Sequence, residues 1–384
     1  MFLERISACS LNRIFGYEPR FASALIRSLG SASAVFDLSG EELFSILGPF
    51  CRYRDRINDG AREESEKELD RLASHGFSFI SMSEDCFPSL LKECEDSPAG
   101  LYMRSSSPPE AVFNTGPAIS VVGTRDISLY GKEWCPKIIG ALAESGPTIV
   151  SGLAFGVDIC AHMAALAYGI PTIAVIPVGI DSVYPSSHRV AAEKIAAAPG
   201  SALITDYPPG TRAVPVNFIR RNRIIAGMSQ ATILVESKDR GGGTMTARLA
   251  SGYGRDVLAL PGRIDDVRSG GCNRLLAEKI AEPLSSLQEL PGILGLGKGA
   301  PRRKRDLGDE IRRGRPAGSD PEETALLVKM AEMIKGDRGI NLDELCRKGG
   351  LGYGRTVALA GILESEGFID IDLLQRCTIH DKKE

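Results

Sequence analysis

Aromatic residues are scarce in this chain, 6% of 384 residues with one tryptophan, and histidines number only four. Four scattered histidines assemble neither a Ser–His–Asp arrangement nor a metal-ligand cluster. The nine cysteines contain no CxxC pair. That excludes a disulfide scaffold and a structural zinc site, and it points to reduced thiols in a cytoplasm. No run of about 18 apolar residues occurs, so no transmembrane span is expected. Met1–Ser10 carries Glu4 and Arg5 without a long apolar run, so no signal peptide is expected there. Charge of one sign is also missing: 46 basic against 49 acidic residues leave a net charge of −3. A nucleic-acid partner would therefore have to be met by a local patch.

What is present is length and alternation. A chain of 384 residues exceeds one small core, and two or three domains are expected. Residues 1–75 read as short helices at Phe21–Leu29 and Glu41–Leu47, a small SAM/HhH-like module. Phe77–Met103 reads as strand, turn at Asp85, short helix and strand. From Ala118 onward short apolar runs alternate with helical stretches. The expected strands are Ile119–Val122, Thr148–Ser151, Thr172–Pro177, Ala202–Thr205, Ala231–Val235 and Val257–Leu260. Continuous apolar strands imply a sheet covered on both faces, and the alternation implies an extended Rossmann-like parallel sheet over residues 76–290. Residues 291–320 are rich in Gly, Pro and Arg and read as a basic linker, including Arg302–Arg305. Residues 321–384 regain helical periodicity, with Leu342–Cys346, Tyr353–Glu366 and a β-wing at Phe368–Asp372 giving a winged-helix order. The second of those helices holds Arg355 and is otherwise apolar or acidic, a poor groove reader.

Ligands of open α/β sheets bind beyond the C-terminal strand ends. The densest of these ends is Val214–Gly262. There a helix bearing Arg220, Arg221 and Arg223 precedes a strand, and Gly241-Gly242-Gly243 opens into a helix from Thr244. Glycines before a helix N-terminus leave N–H groups free for an anion, and arginine forks match phosphate. The first strand ends in Gly123 and Arg125, the second in Gly152 and Gly156, and Phe218 stands beside the arginines. Aromatic next to arginine is the pairing that single strands favour. Tyr184, in an irregular loop, reads equally as a stacking platform or as packing. The spacing is not GxGxxG and no acid sits where a ribose would need one, so a dinucleotide is poorly supported. Asp158 and His162, four apart on one helix, read as a cap and a local pair. Gly292–Lys298 begins like a phosphate loop, but Gly299 replaces the required hydroxyl and no strand precedes it.

Taken in order, VVGTRDISLYG, SGLAFGVDICAHMAAL, DSVYPSSH, NFIRRNRIIAG, RGGGTMTA and ALPG with SGGCNRLL resemble the bacterial DNA-processing protein A family, DprA or Smf, over about Phe77–Leu276. The resemblance implies a dimeric protein that binds single-stranded DNA and helps load RecA recombinase in natural transformation, with no cofactor, metal or established catalysis. By position it implies DNA contacts at Gly123, Arg125, Gly152, Gly156, Phe218, Arg220, Arg223, Gly241, Gly243 and Thr244. It also implies that Asn222 ties the phosphate-facing loops together. Asp206 stands where the family commonly has glutamate, Ile219 where it has proline, and Gly242-Gly243-Thr244 where it has Ser-Gly-Ser.

A competing reading is a Rossmann enzyme that hydrolyses nucleoside monophosphates, whose Gly-Gly-x-Gly-Thr loop Gly241–Thr244 echoes. Such an enzyme places a glutamate shortly after the glycines. Here Thr246-Ala247-Arg248 follows, with no acid before Asp256.

Overall fold

The computed structural model describes residues 2–296, 308, 311, 312, 315, 320–337, 340–372 and 375–379. The chain divides into two compact units, Met1–Ala300 and Pro301–Glu384. In the first unit the strands are β1 (Ser78–Ser81), β2 (Gly100–Arg104), β3 (Ala118–Val122), β4 (Thr148–Ser151), β5 (Thr172–Val175), β6 (Ala202–Thr205), β7 (Ala231–Leu234), β8 (Asp256–Ala259) and β9 (Glu282–Pro283). They form one sheet in the order β1-β2-β6-β5-β4-β3-β7-β8-β9. β3 to β9 are mutually parallel, and β1 and β2 extend the β6 edge antiparallel. β5 ends two residues before the expected Pro177. Ile176 still donates its N–H to the Ile204 carbonyl at 2.9 Å, and Pro177, with no N–H, cannot continue the ladder.

The sheet is buried on both faces, as its apolar runs require. Ile119 and Val121 of β3 join the core beneath the helices Leu129–Ala143 and Val157–Ala167. Val122 joins the core on the other face, with the helices Arg189–Ala197, Pro215–Gly227 and Gly242–Gly252. The last of these starts two residues before Thr244, with Gly241 as its N-cap.

The N-terminal helices, Phe2–Ile14, Pro19–Leu29, Ala32–Phe36, Gly40–Leu47 and Asp59–Ser74, were expected as a module ending near residue 75. They share one apolar core with the sheet: Leu11 and Phe15 lie in the same cluster as Phe79 and Tyr102. Tyr102, fully buried, donates its hydroxyl to Glu68 at 2.7 Å, and Asn12 donates to the Asp206 carbonyl at 2.7 Å. Buried polar groups need such partners, so these bonds fix the helices against the sheet edge. At the other end, Leu294 and Leu296, inside the segment expected to open the linker, are buried with Leu290 in the core of the sheet unit. The basic run Arg302–Arg305 lies outside the described residues.

The second unit has its own core, which includes Ile311, Leu327, Leu345 and Leu363. Helices Pro321–Gly336, Leu342–Gly349 and Tyr353–Ser365 accompany β10 (Ile340–Asn341), β11 (Ile369–Ile371) and β12 (Arg376–Ile379), an antiparallel sheet in the order β10-β12-β11. Arg315 pairs with Glu323 at 2.5 Å and Glu366 at 2.9 Å, which ties its stretch to this unit. Among the described residues no helix is long and apolar enough to cross a membrane.

Candidate nucleic-acid interface

β3 and β7 are neighbours in the sheet, yet the helices that follow them lie on opposite faces. Loops leaving adjacent strands in opposite directions open a crevice between them, the usual ligand position in an open α/β sheet. Here it is a cleft of about 700 Å³.

Its floor is backbone, because there is no room for side chains. A Cβ on Gly243 would lie 2.9 Å from the Gly123 Cα, and one on Gly123 would lie 2.7 Å from the Glu236 carbonyl. The two loops are then joined: Thr124 donates its N–H to that same carbonyl at 2.7 Å. Gly156, at φ +80°, sits against the Thr124 carbonyl where any Cβ would collide. Val157 donates to that carbonyl at 3.1 Å, which locks the β4 loop under the loop that carries Arg125. Behind the glycines, Ser237 and Thr244 close the β7 loop, with the Thr244 hydroxyl 2.9 Å from Ser237 Oγ and 3.0 Å from the Lys238 carbonyl. Gly241 spends its N–H on Lys238. The N–H groups of Gly242 and Gly243, in the first turn, have no acceptor within the helix and stand at its positive end.

The walls carry aromatic rings and cations. The Arg125 guanidinium lies 4.8 Å from the centroid of the Phe218 ring, and Tyr184 meets that ring edge-on at 5.3 Å. Lys238 and Arg240 stand exposed on the β7 loop. Arg125, Lys238 and Arg240 have no ion-pair partner among the described residues. Beneath them Arg221 is buried and donates to the carbonyls of Gly152, at 2.7 Å, and Val175. Burial lowers its pKa to about 10, so it keeps its charge at neutral pH. Among the described residues Asp158 is the one carboxylate lining the cleft. Burial raises its pKa, and the charge of Arg221 opposes the rise. His162 is packed below, with Nδ1 2.7 Å from Thr172 Oγ1, and burial lowers its pKa to about 3. It is a neutral core residue. No group of three His, Cys, Asp or Glu that could hold a metal is found among the described residues.

Of the ten residues expected at the site, Gly123, Arg125, Phe218, Gly241 and Gly243 line this cleft together. The other five stand elsewhere. Gly152 is a glycine because the Arg221 guanidinium occupies the space of its Cβ. Gly156 and Thr244 shape loops from behind. Arg220 and Arg223 leave the helix on the side of a neighbouring groove. Arg223 is buried, pairs with Asp206 and donates to the Asp96 carbonyl at 2.6 Å, so its guanidinium is committed to the fold. Asn222, expected to tie the loops, instead lines the cleft and makes no side-chain hydrogen bond among the described residues. Lys238 and Arg240 were not among the expected residues. Two exposed cations in a loop at the C-terminal end of a strand were the available signal.

Fold and cleft together define an open α/β protein whose cleft gathers helix-end N–H groups, cations and aromatic rings. The chain belongs to the DNA recombination-mediator protein A family, whose model matches residues 78–293. It is similar to Protein Smf of Synechocystis, 37% identical over 217 residues, which are 56% of this chain and 54% of that one. It therefore spans about half the length of that relative. It is also similar to DNA processing protein DprA of Streptococcus pneumoniae, 39% identical over 202 residues, 53% of this chain and 69% of the relative. A solved structure of DprA from that species matches with a TM-score of 0.60 and 30% identity over 76% of this chain and 97% of the other. The structure of DNA processing protein A from Helicobacter pylori, described for its single-stranded DNA binding mode, matches with a TM-score of 0.51 and 28% identity over 57% and 95%.

Proposed function

We propose that the chain binds single-stranded DNA in the cleft between the β3 and β7 loops and acts as a recombination mediator. It holds the strand by phosphates and stacked bases, with little sequence preference, and passes it to RecA recombinase during natural transformation. In this reading it works as a homodimer, the N-terminal helices are SAM/HhH-like and the second unit is a winged helix. The carrying observation is the Arg125–Phe218–Tyr184 cluster beside the N–H groups of Gly242 and Gly243, which have no acceptor among the described residues. That arrangement supplies both elements of sequence-tolerant strand binding, a cationic track and a ring for stacking.

A salt titration with a short oligothymidine, beside the matching duplex and an assay for hydrolysis of AMP, tests the reading. Steeply salt-dependent preference for the single strand without hydrolysis supports it. Cleavage of AMP with weak strand binding overturns it and makes the glycine loop an active site.

A further inference from the structure

Beside the cleft lies a second groove of about 710 Å³. It is bounded on one side by Tyr17, just before the helix Pro19–Leu29, and Phe21 in its first turn, and on the other by Arg220, Ile219 and Met245. Ile219 and Met245 line both cavities, and both are exposed, so the two adjoin across a shared apolar edge. The groove repeats the arrangement of the cleft. The Arg220 guanidinium lies 4.8 Å from the centroid of the Tyr17 ring, as Arg125 lies 4.8 Å from that of Phe218. The helix Pro215–Gly227 supplies the ring to one pair and the cation to the other.

Most other charges of the groove are paired. Glu18 pairs with Arg52 at 2.6 Å, Arg20 approaches Glu95 at 4.0 Å, Arg223 is held by Asp206 and Arg248 by Glu278 at 2.5 Å. Asp96 accepts the Tyr253 hydroxyl at 2.8 Å. Arg220 is the cation of the groove left without a carboxylate partner among the described residues. Tyr17 is 52% exposed although it faces an apolar wall. An apolar trough with one cation, unpaired with any carboxylate among the described residues, resting over one half-exposed ring suits a nucleotide more than a protein helix, which would bring a longer apolar stripe.

We infer that a single strand bound in the cleft continues over Ile219 and Met245 into this groove, where a base stacks on Tyr17 and Arg220 holds a phosphate. The inference rests on the strand-binding reading above. It gives the N-terminal helices a direct part in binding: they supply the ring of a second subsite on the same strand.

The test compares oligothymidines of about 4 and about 16 nucleotides, lengths at the ends of the range that one strand-binding module covers, on the full chain. Wild type, Tyr17→Ala, Tyr17→Phe, Arg220→Ala and Arg125→Ala are titrated, with a melting curve for each. The expected result is length-selective. Tyr17→Ala weakens the long oligonucleotide by roughly five-fold or more, the loss of one stacked base, and leaves the short one unchanged. Tyr17→Phe binds both like wild type. Arg220→Ala shows the same selectivity and lowers the salt slope for the long strand by about 0.7. Arg125→Ala weakens both lengths. Equal affinity of wild type, Tyr17→Ala and Arg220→Ala for the long strand overturns the second subsite and leaves the cleft standing. Failure of wild type to bind either length overturns both.

Discussion

Arg223→Ala separates arginines that serve the fold from those that serve a ligand. Arg223 is 7% exposed and its partner Asp206 5%, so the substitution leaves a buried carboxylate without its counter-charge. Removing one partner of a buried pair costs about 3–5 kcal/mol. For a unit of this size about 2 °C of melting temperature accompanies each kcal/mol, which predicts a drop of about 6–10 °C. The assay is a melting curve at neutral pH, beside a titration with short oligothymidine well below the melt. The variant should melt early and bind the short strand like wild type. Replacing both partners, as Arg223→Met with Asp206→Leu, should recover much of the loss, since the stranded charge is gone. The pH dependence has a definite sign. Burial raises the Asp206 pKa and Arg223 opposes the rise. Folded Asp206 therefore takes up a proton more readily than the unfolded residue, and its contribution to stability falls as pH rises from the unfolded value of about 3.9 through the raised folded one. Without Arg223 the folded value climbs further, so the deficit is largest at neutral pH and shrinks as pH is lowered into that interval. An unaltered melt together with lost strand affinity would refute the assignment and make Arg223 a phosphate ligand.

Arg125→Ala, at an exposed position without an ion pair among the described residues, should lower the salt slope for single-stranded DNA by about 0.7 and leave the melting curve in place; an unchanged slope would remove Arg125 from the strand path. Phe218→Ala should weaken binding by about 1–3 kcal/mol at constant salt slope, and a fall in slope would show that the ring acts by positioning Arg125. Gly243→Ala places a Cβ 2.8 Å from Leu234 and 2.9 Å from the Gly123 backbone; a loss of about 1–3 kcal/mol in stability with weakened binding is expected, and a variant of full stability and affinity would mean that the two loops need not touch. Deleting residues 301–384, a separately packed unit, should preserve affinity for the short strand, and its disappearance would move the site.

The parallel sheet was legible because its strands are buried on both faces and leave unbroken apolar runs. β4 and β6 have the expected bounds, and β8 is displaced by one residue. That the loops after β3 and β7 open on one cleft was legible for the same topological reason. The direction of each arginine in Arg220-Arg221-Asn222-Arg223 was not. These four residues span one turn of a helix that has neighbours on several sides, so no polar face tells inward from outward. Only the distant partners, Asp206 for Arg223, the Gly152 carbonyl for Arg221 and Tyr17 for Arg220, decide it. The glycines carried the same ambiguity. Gly152 makes room for a guanidinium and Gly243 for a neighbouring loop, and both requirements leave the same residue in the text. The union of the N-terminal helices with the sheet rests on contacts between residues far apart in the chain, such as Asn12 with Asp206, which local pattern does not encode.

One face of the Phe218 ring is covered by the Arg125 guanidinium. Under the strand-binding proposal, a base that reached that face would displace a seated guest. The guanidinium would then be released beside the incoming phosphates, where its charge counts for more than it does above a hydrocarbon. Binding at this point would be an exchange of partners, and the affinity it yields the difference between two contacts. In the free protein the same guest shields an apolar surface.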